Sequence, residues 1–155
     1  MPESMIFCAP HANSYHRFEE NSYAPINATW GKDNRTTASR IPSGNEDSTR
    51  IEHRLSGADA NPYLVMAMLI SGFLHGFEED PEIPPETVGN GYEDGSRPLP
   101  QSWEAALDLF QNKSRLSSIL GQEFSTLYRQ LKFGEQKRFR RVITPHEYDW
   151  YLHTV

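Results

Sequence analysis

Asn34-Arg35-Thr36-Thr37-Ala38-Ser39-Arg40-Ile41-Pro42, a polar connection, Thr49-Arg50-Ile51-Glu52-His53-Arg54-Leu55, and then Ala58-Asp59-Ala60-Asn61-Pro62-Tyr63 form the stretch that decides this fold. From Thr49 to Leu55 the side chains alternate in character. In a strand successive side chains point to opposite faces, so Arg50, Glu52 and Arg54 share one face. Thr49, Ile51, His53 and Leu55 share the other, which is the expected packing face. A second strand is expected over Thr36–Ile41, ended by Pro42. Ser43 to Ser48, with Gly44 and Asn45, reads as a polar turn. Antiparallel pairing through that turn would set Arg40 near Arg50, and their repulsion would need an anion to offset it.

Two readings of the charged face stand side by side. Arg50, Glu52 and Arg54 can form a cross-strand ion-pair ladder on an exposed sheet, of little energetic consequence. They can also form a site for a polyanion and a metal ion. Arginine presents a planar fork of donors that matches carboxylate and phosphate oxygens. A carboxylate between two arginines stays ionised and can hold a hard cation such as Mg²⁺. Arg35 and Arg40 nearby bring the two readings level.

The wider pattern carries a resemblance. Asn34-Arg35-Thr36-Thr37, Arg40-Ile41-Pro42, Arg50-Ile51-Glu52-His53-Arg54 and Asn61-Pro62-Tyr63 occur in order, preceded by Asn13-Ser14-Tyr15-His16-Arg17. Together they resemble the C-terminal half of the glutamine synthetase catalytic domain. The likeness runs over essentially the whole chain, to Val142-Ile143-Thr144-Pro145-His146-Glu147-Tyr148. It implies an α+β fold: antiparallel strands at the N-terminal side packed by helices, then a helical C-terminal region. It also implies that residues 1–155 are the C-terminal portion of that domain. The family's N-terminal β-grasp domain and the first half of its catalytic domain lie upstream, with Glu-x-Glu metal ligands that do not occur between Met1 and Val155.

The function this resemblance implies is ATP-dependent ligation. Glutamate is joined through its γ-carboxylate to ammonia or an amine, by way of a γ-glutamyl phosphate. Carried over residue by residue, Arg35, Arg40 and Arg50 attend the ATP phosphates, and Arg35 is the catalytic one. Glu52 ligates Mg²⁺ or Mn²⁺. Arg17 and Arg54 hold the glutamate substrate. Where ammonia-using members carry a glutamate before Ala-Pro, this chain has Tyr23 before Ala24-Pro25, which favours a larger, more apolar amine. Gly89-Asn90-Gly91-Tyr92-Glu93 resembles the γ-glutamylputrescine synthetase branch, so a putrescine-like acceptor is expected. Tyr92 lacks the context of the family's regulatory tyrosine. The family assembles as homo-oligomeric rings with sites between subunits. Without the upstream ligands this chain alone is expected to be inactive, and to oligomerise or aggregate through uncovered apolar surface. The rival reading is a truncated, non-catalytic fragment acting only in subunit contacts.

Composition reads as soluble and globular, and the resemblance implies a cytoplasmic enzyme. The chain has 155 residues, enough for a real core, and a net charge of −6. That charge argues against a nucleic-acid partner, so the arginines are placed locally. Cys8 is the lone cysteine, which excludes an internal disulfide and fits a reducing compartment. It reads as a small buried residue. The longest apolar run, Tyr63 to Leu74, is too short for a membrane span. The histidines show no zinc spacing, and no structural metal is expected.

Helices account for the rest. Asn61-Pro62 is a start signal, a cap followed by proline at the first helical position. The helix should run from Pro62 to His75 and stop at Gly76. It is apolar nearly all round and is expected to be buried. Met1 to Pro10 shows no period and reads as extended or loop. His11 to Arg17 reads as a helix or turn. Glu78 to Pro100, rich in proline and acid, reads as a surface loop. Helices are expected over Ser102–Asn112, Ser114–Leu120 and Glu123–Val142, the last packing Phe124, Leu127, Tyr128 and Leu131. Its run of Lys132, Lys137, Arg138, Arg140 and Arg141 reads as a solvated or intersubunit face. Thr144-Pro145-His146-Glu147 reads as a capping box opening a final helix that buries Tyr148, Tyr151 and Leu152.

Overall fold

A computed structural model describes every residue except Ser96, Ser114, Arg115 and Val155. Its architecture is α+β. A small sheet sits at the N-terminal side of the chain and helices supply the rest.

The core begins where the sequence shows no pattern. Pro2–Ser4 form a 3₁₀ turn that continues into α1, Met5–Cys8, and Met5, Ile6, Phe7 and Cys8 are all buried. The expected extended entry is therefore helical. Periodicity arises from contrast between a wet and a dry face. A segment dry on every side has no contrast to display. Phe7 is the hub: it meets the Phe110 ring edge-on at 5.3 Å and stacks on Tyr128 at 4.7 Å. Those partners come from α3, Trp103–Lys113, and α5, Gln122–Phe139.

The sheet order is β1 (Trp30–Lys32), β2 (Ser39–Ile41), β3 (Glu52–His53). Strands β2 and β3 pair antiparallel, as expected, with Ser39 opposite His53 and Arg40 opposite Glu52. Leu55 is buried as foreseen, but Ile51 is exposed and Arg50 lies outside the strand. Strand β1 departs from the antiparallel expectation and pairs with β2 in parallel, Gly31 opposite Arg40. Parallel neighbours ordinarily need a long crossover. Here the chain returns through the tight loop 33–38, with Asp33 in the left-handed region at φ 49°. The amide of Asp33 donates to Ile41 O and that of Ser39 to Thr29 O, closing the loop at both ends.

Helix α2 spans Pro62–Glu79, longer than expected, and ends at Asp80 in the left-handed conformation. Asn61 caps it as predicted, its side chain accepting from the amides of Tyr63 and Leu64. Only Val65, Met68 and Ser71 are buried. Tyr63 is 84% exposed and Phe77 86%, with Met66, Ile70, Phe73 and Leu74 also open. The expectation of burial all round is thus corrected. Among the described residues one stripe of α2 finds the core, and Tyr63, Met66, Ile70, Phe73, Leu74 and Phe77 remain exposed.

Further along, α4 covers Leu116–Leu120, and the expected start at Ser114 lies outside the described residues. In α5 the buried stripe is Ser125, Tyr128, Lys132 and Gln136. Leu127 and Leu131 face outward instead. Lys132, expected in a solvated basic run, is 5% exposed; its ammonium donates to Pro10 O at 3.2 Å and pairs with Glu135 at 2.8 Å. Helix α6, Pro145–Tyr151, opens on the predicted Thr144–Glu147 capping box. It buries none of its residues, so Tyr148, Tyr151 and the following Leu152 are exposed, contrary to expectation. Among the described residues no helix is long and apolar enough to cross a membrane.

Candidate functional site

The pairing of β2 with β3 creates the central contact. Because Arg40 stands opposite Glu52, its Nη1 reaches Glu52 Oε2 at 3.0 Å. Arg50, just before β3, turns back to place Nη2 3.0 Å from Glu52 Oε1 and donates Nη1 to Ser48 O. One carboxylate is therefore held from both sides. The anion needed to offset Arg40 against Arg50 is built in, and it is Glu52. Hydrogen bonds from Arg40, then from Arg50, hold its pKa below the ordinary glutamate value. Arg40 has a second partner that sequence reasoning missed: Nη2 lies 3.0 Å from Asp33 Oδ1. Asp33 also accepts from the amide and hydroxyl of Ser43, which lower its pKa before Arg40 adds its share.

Glu52 opens onto a cavity of about 540 Å³ lined by His16, Arg17, Ser22, Tyr23, Ala24, Glu52, His53 and Arg54. Arg17 arrives on the 3₁₀ turn Ala12–Arg17. Its Nη2 donates to Arg54 O at 3.0 Å, and its guanidinium lies 4.8 Å over the Phe18 ring. Burial lowers its pKa, an effect opposed by Asp59. Asp59 in turn accepts from the hydroxyl of Ser14 at 2.5 Å. Arg54 is held differently: its Nη2 donates to two backbone carbonyls, Tyr23 O at 2.9 Å and Arg35 O at 2.8 Å. His53 is half-buried and also lines the cavity, and burial lowers its pKa.

Tyr23 stands at the mouth, 64% exposed, with its backbone in the left-handed region at φ 60°. Arg35 lies on its far side, in a second cleft of about 440 Å³ that Tyr23 also lines. The structure thus brings Arg17, Glu52 and Arg54 into one cavity, attaches Arg40 and Arg50 to it through Glu52, and separates Arg35 by Tyr23. Four guanidinium groups, those of Arg17, Arg40, Arg50 and Arg54, gather with Glu52, Asp33 and Asp59 in a chain of net charge −6. That local cationic surplus suits an anionic ligand.

Glu52 fits a divalent ion as one ligand: it is ionised and partly accessible. Among the described residues no three His, Cys, Asp or Glu side chains gather to enclose such an ion. Cys8 is buried and unpaired, and burial pushes its thiol up to about 11, which keeps it unreactive.

The glutamine synthetase catalytic-domain model matches residues 1–151. The chain belongs to the glutamine synthetase family. This glutamine synthetase-type chain is 43% identical over 152 residues to the γ-glutamylputrescine synthetase PuuA of Escherichia coli K12, covering 98% of itself and 32% of that protein. It is 38% identical to the γ-glutamylethanolamide synthetase GlnA4 of Streptomyces coelicolor, covering 97% of itself and 31% of that protein. A solved structure of ligand-free GmaS matches 98% of the chain and 35% of its own length, with a TM-score of 0.83 at 26% identity. The chain therefore spans about a third of the length of these relatives.

Proposed function

We propose that residues 1–155 are the C-terminal portion of a glutamine synthetase-type catalytic domain and supply the arginine-lined side of an ATP-dependent γ-glutamyl ligase. The observation that carries this reading is the grip of Arg40 and Arg50 on Glu52, beside a cavity shared with Arg17 and Arg54. Arg35, Arg40 and Arg50 bind the ATP phosphates. Arg35 stabilises charge on the phosphoryl group in transfer and is the catalytic arginine of the set. Arg17 and Arg54 hold glutamate by its carboxylates. Glu52 serves as one ligand to Mg²⁺ or Mn²⁺, whose remaining ligands come from outside these residues; the bound ion supplies further charge neutralisation on the phosphates.

In the reaction the γ-carboxylate of glutamate takes the terminal phosphoryl group and ADP leaves. An amine then attacks the acyl carbon, phosphate departs and the nitrogen loses a proton. Tyr23, neutral and exposed at the mouth, favours an amine larger than ammonia. The names of the two relatives above, a putrescine and an ethanolamide synthetase, agree with such an acceptor. The working enzyme is a cytoplasmic ring whose sites lie between subunits. The rival reading, a non-catalytic fragment acting only in subunit contacts, draws no support from the comparisons.

The test is binding of a non-hydrolysable ATP analogue with Mn²⁺ to the purified chain by calorimetry. Measurable binding that weakens on Glu52→Ala is expected. Absence of any binding returns the inert-fragment reading.

A further inference from the structure

Arg35 stands outside the Arg40–Glu52–Arg50 cluster, yet the residues on either side of it are tied to a distant segment. Asn34, immediately before it, donates from Nδ2 to Thr87 O at 3.1 Å and Gly89 O at 2.9 Å. Asn34 Oδ1 accepts from the amide of Thr36 at 3.0 Å and from its hydroxyl at 2.6 Å. The same Thr36 hydroxyl accepts from the amide of Gly91 at 2.8 Å. Thr37 is fully buried and its hydroxyl donates to Asn34 O at 2.9 Å. Arg35 is thus flanked on both sides by residues bonded to one distant segment, 87–91.

That segment does not behave as the free surface loop its composition suggests. The amide of Thr87 donates to Trp30 O at 2.9 Å, so it lies along the outer edge of β1. Asn27 Nδ2 donates to Gly91 O at 3.0 Å and the Tyr92 hydroxyl to Ala24 O at 3.3 Å. The fit is close enough to require glycine twice. A Cβ on Gly31 would stand 2.8 Å from Thr87 O, and one on Gly91 would stand 2.9 Å from Thr36 O. One strap therefore touches the loop that bears Arg35 and the residue that follows Tyr23. Arg54 closes the circle from the cavity side by holding the carbonyls of those same two residues, Arg35 and Tyr23.

We propose that the 87–92 strap is a positioning element: through Asn34, Thr36 and Gly91 it sets the backbone from which Arg35 reaches phosphate, and through Tyr92 it sets the loop that presents Tyr23. Asn34, Thr36 and Gly91 are positioning residues, since none touches the reacting atoms. The inference rests on the nucleotide-binding role given to Arg35 above. Its physical basis is that an arginine side chain has many rotamers, so the aim of its guanidinium is only as good as the backbone it starts from.

The test uses Thr36→Val, which keeps the shape and removes the hydroxyl, with Thr36→Ser as the conservative rescue. Amide hydrogen exchange of the chain without ligand should speed about tenfold at Gly91 and Thr36 in Thr36→Val, and return close to the parent rate in Thr36→Ser. Affinity for the ATP analogue with Mn²⁺ should fall about tenfold in Thr36→Val and recover in Thr36→Ser. Arg35→Ala should weaken binding as well, and the double variant should be no weaker than Arg35→Ala alone, because misaiming an absent side chain costs nothing more. Unchanged exchange in Thr36→Val overturns the proposal. So does faster exchange with undiminished affinity, or an additive double variant, which would leave the strap a purely structural brace. A parent chain that binds no nucleotide overturns the functional reading itself, and the proposal falls with it.

Discussion

Lys132 offers the sharpest test of how the helical region supports the site. The residue is 5% exposed, and its ammonium carries two hydrogen-bond partners, Pro10 O at 3.2 Å and Glu135 at 2.8 Å. Pro10 closes the segment before Ala12–Arg17, the turn that delivers Arg17. Replacing Lys132 by methionine keeps the length and the apolar stem but removes the charge and both bonds. Glu135 can turn to water. Pro10 O cannot, and a buried carbonyl left without its donor costs about 1–3 kcal/mol. Relief from burying an ammonium acts in the other direction. Because the Glu135 pair is close and the second bond is to a buried carbonyl, the loss should prevail. We expect Lys132→Met to lose about 2 kcal/mol, which for a chain of this size lowers the melting midpoint by about 4–8 °C. Urea unfolding followed by circular dichroism should show a lower midpoint with an unchanged slope. Exchange at the amides of Ser14 and Phe18, both bonded within that turn, should accelerate. A Lys132→Met chain as stable as the parent, or more so, would refute the reasoning, because desolvation of the ammonium would then outweigh its bonds.

Among the groups through which acid should weaken this fold are Glu52 and His53. Glu52 has a folded pKa below its ordinary 4.5, so its contribution is complete above that pH and disappears as pH falls through the depressed value. His53 has its pKa lowered from 6.5 by burial, so the unfolded chain takes up its proton first and stability declines as pH drops below 6.5. Carbon NMR titration of the Glu52 carboxyl is the direct check, and a midpoint at or above 4.5 would contradict the double arginine grip. Asn61→Ala should cost about 1 kcal/mol by removing the cap of α2, measured by denaturant midpoint, while Asn61→Asp should be nearly silent. At Tyr23 the left-handed backbone makes β-branching costly: Tyr23→Val should destabilise by about 1–2 kcal/mol, whereas Tyr23→Gly should be neutral or stabilising. Equal midpoints for the two variants would mean that the loop is not held at its positive φ.

Part of the sheet geometry and the helix starts were legible because their signals are local. The antiparallel return of β2 to β3 through a polar turn follows from alternation and turn composition, but the neighbour expected for Arg40 is Arg50, whereas Glu52 stands opposite it and Arg50 lies outside the strand. Asn61-Pro62 and Thr144-Pro145-His146-Glu147 announce their helices because a cap is an interaction between near neighbours in sequence. What those patterns could not carry is partnership across distance. Only the folded chain decides that Met5–Cys8 is a buried helix, because a segment dry on all sides bears no period. Only the folded chain decides that Lys132 belongs to the core, since its partner Pro10 is far away in sequence. It also decides that β1 runs parallel to β2, and that residues 87–92 serve as a strap, because backbone hydrogen bonds to a distant edge leave almost no mark on composition. The α2 stripe divides the same way: its residues specify a helix and an apolar surface, while which of its faces meets the core depends on what the rest of the fold places beside it.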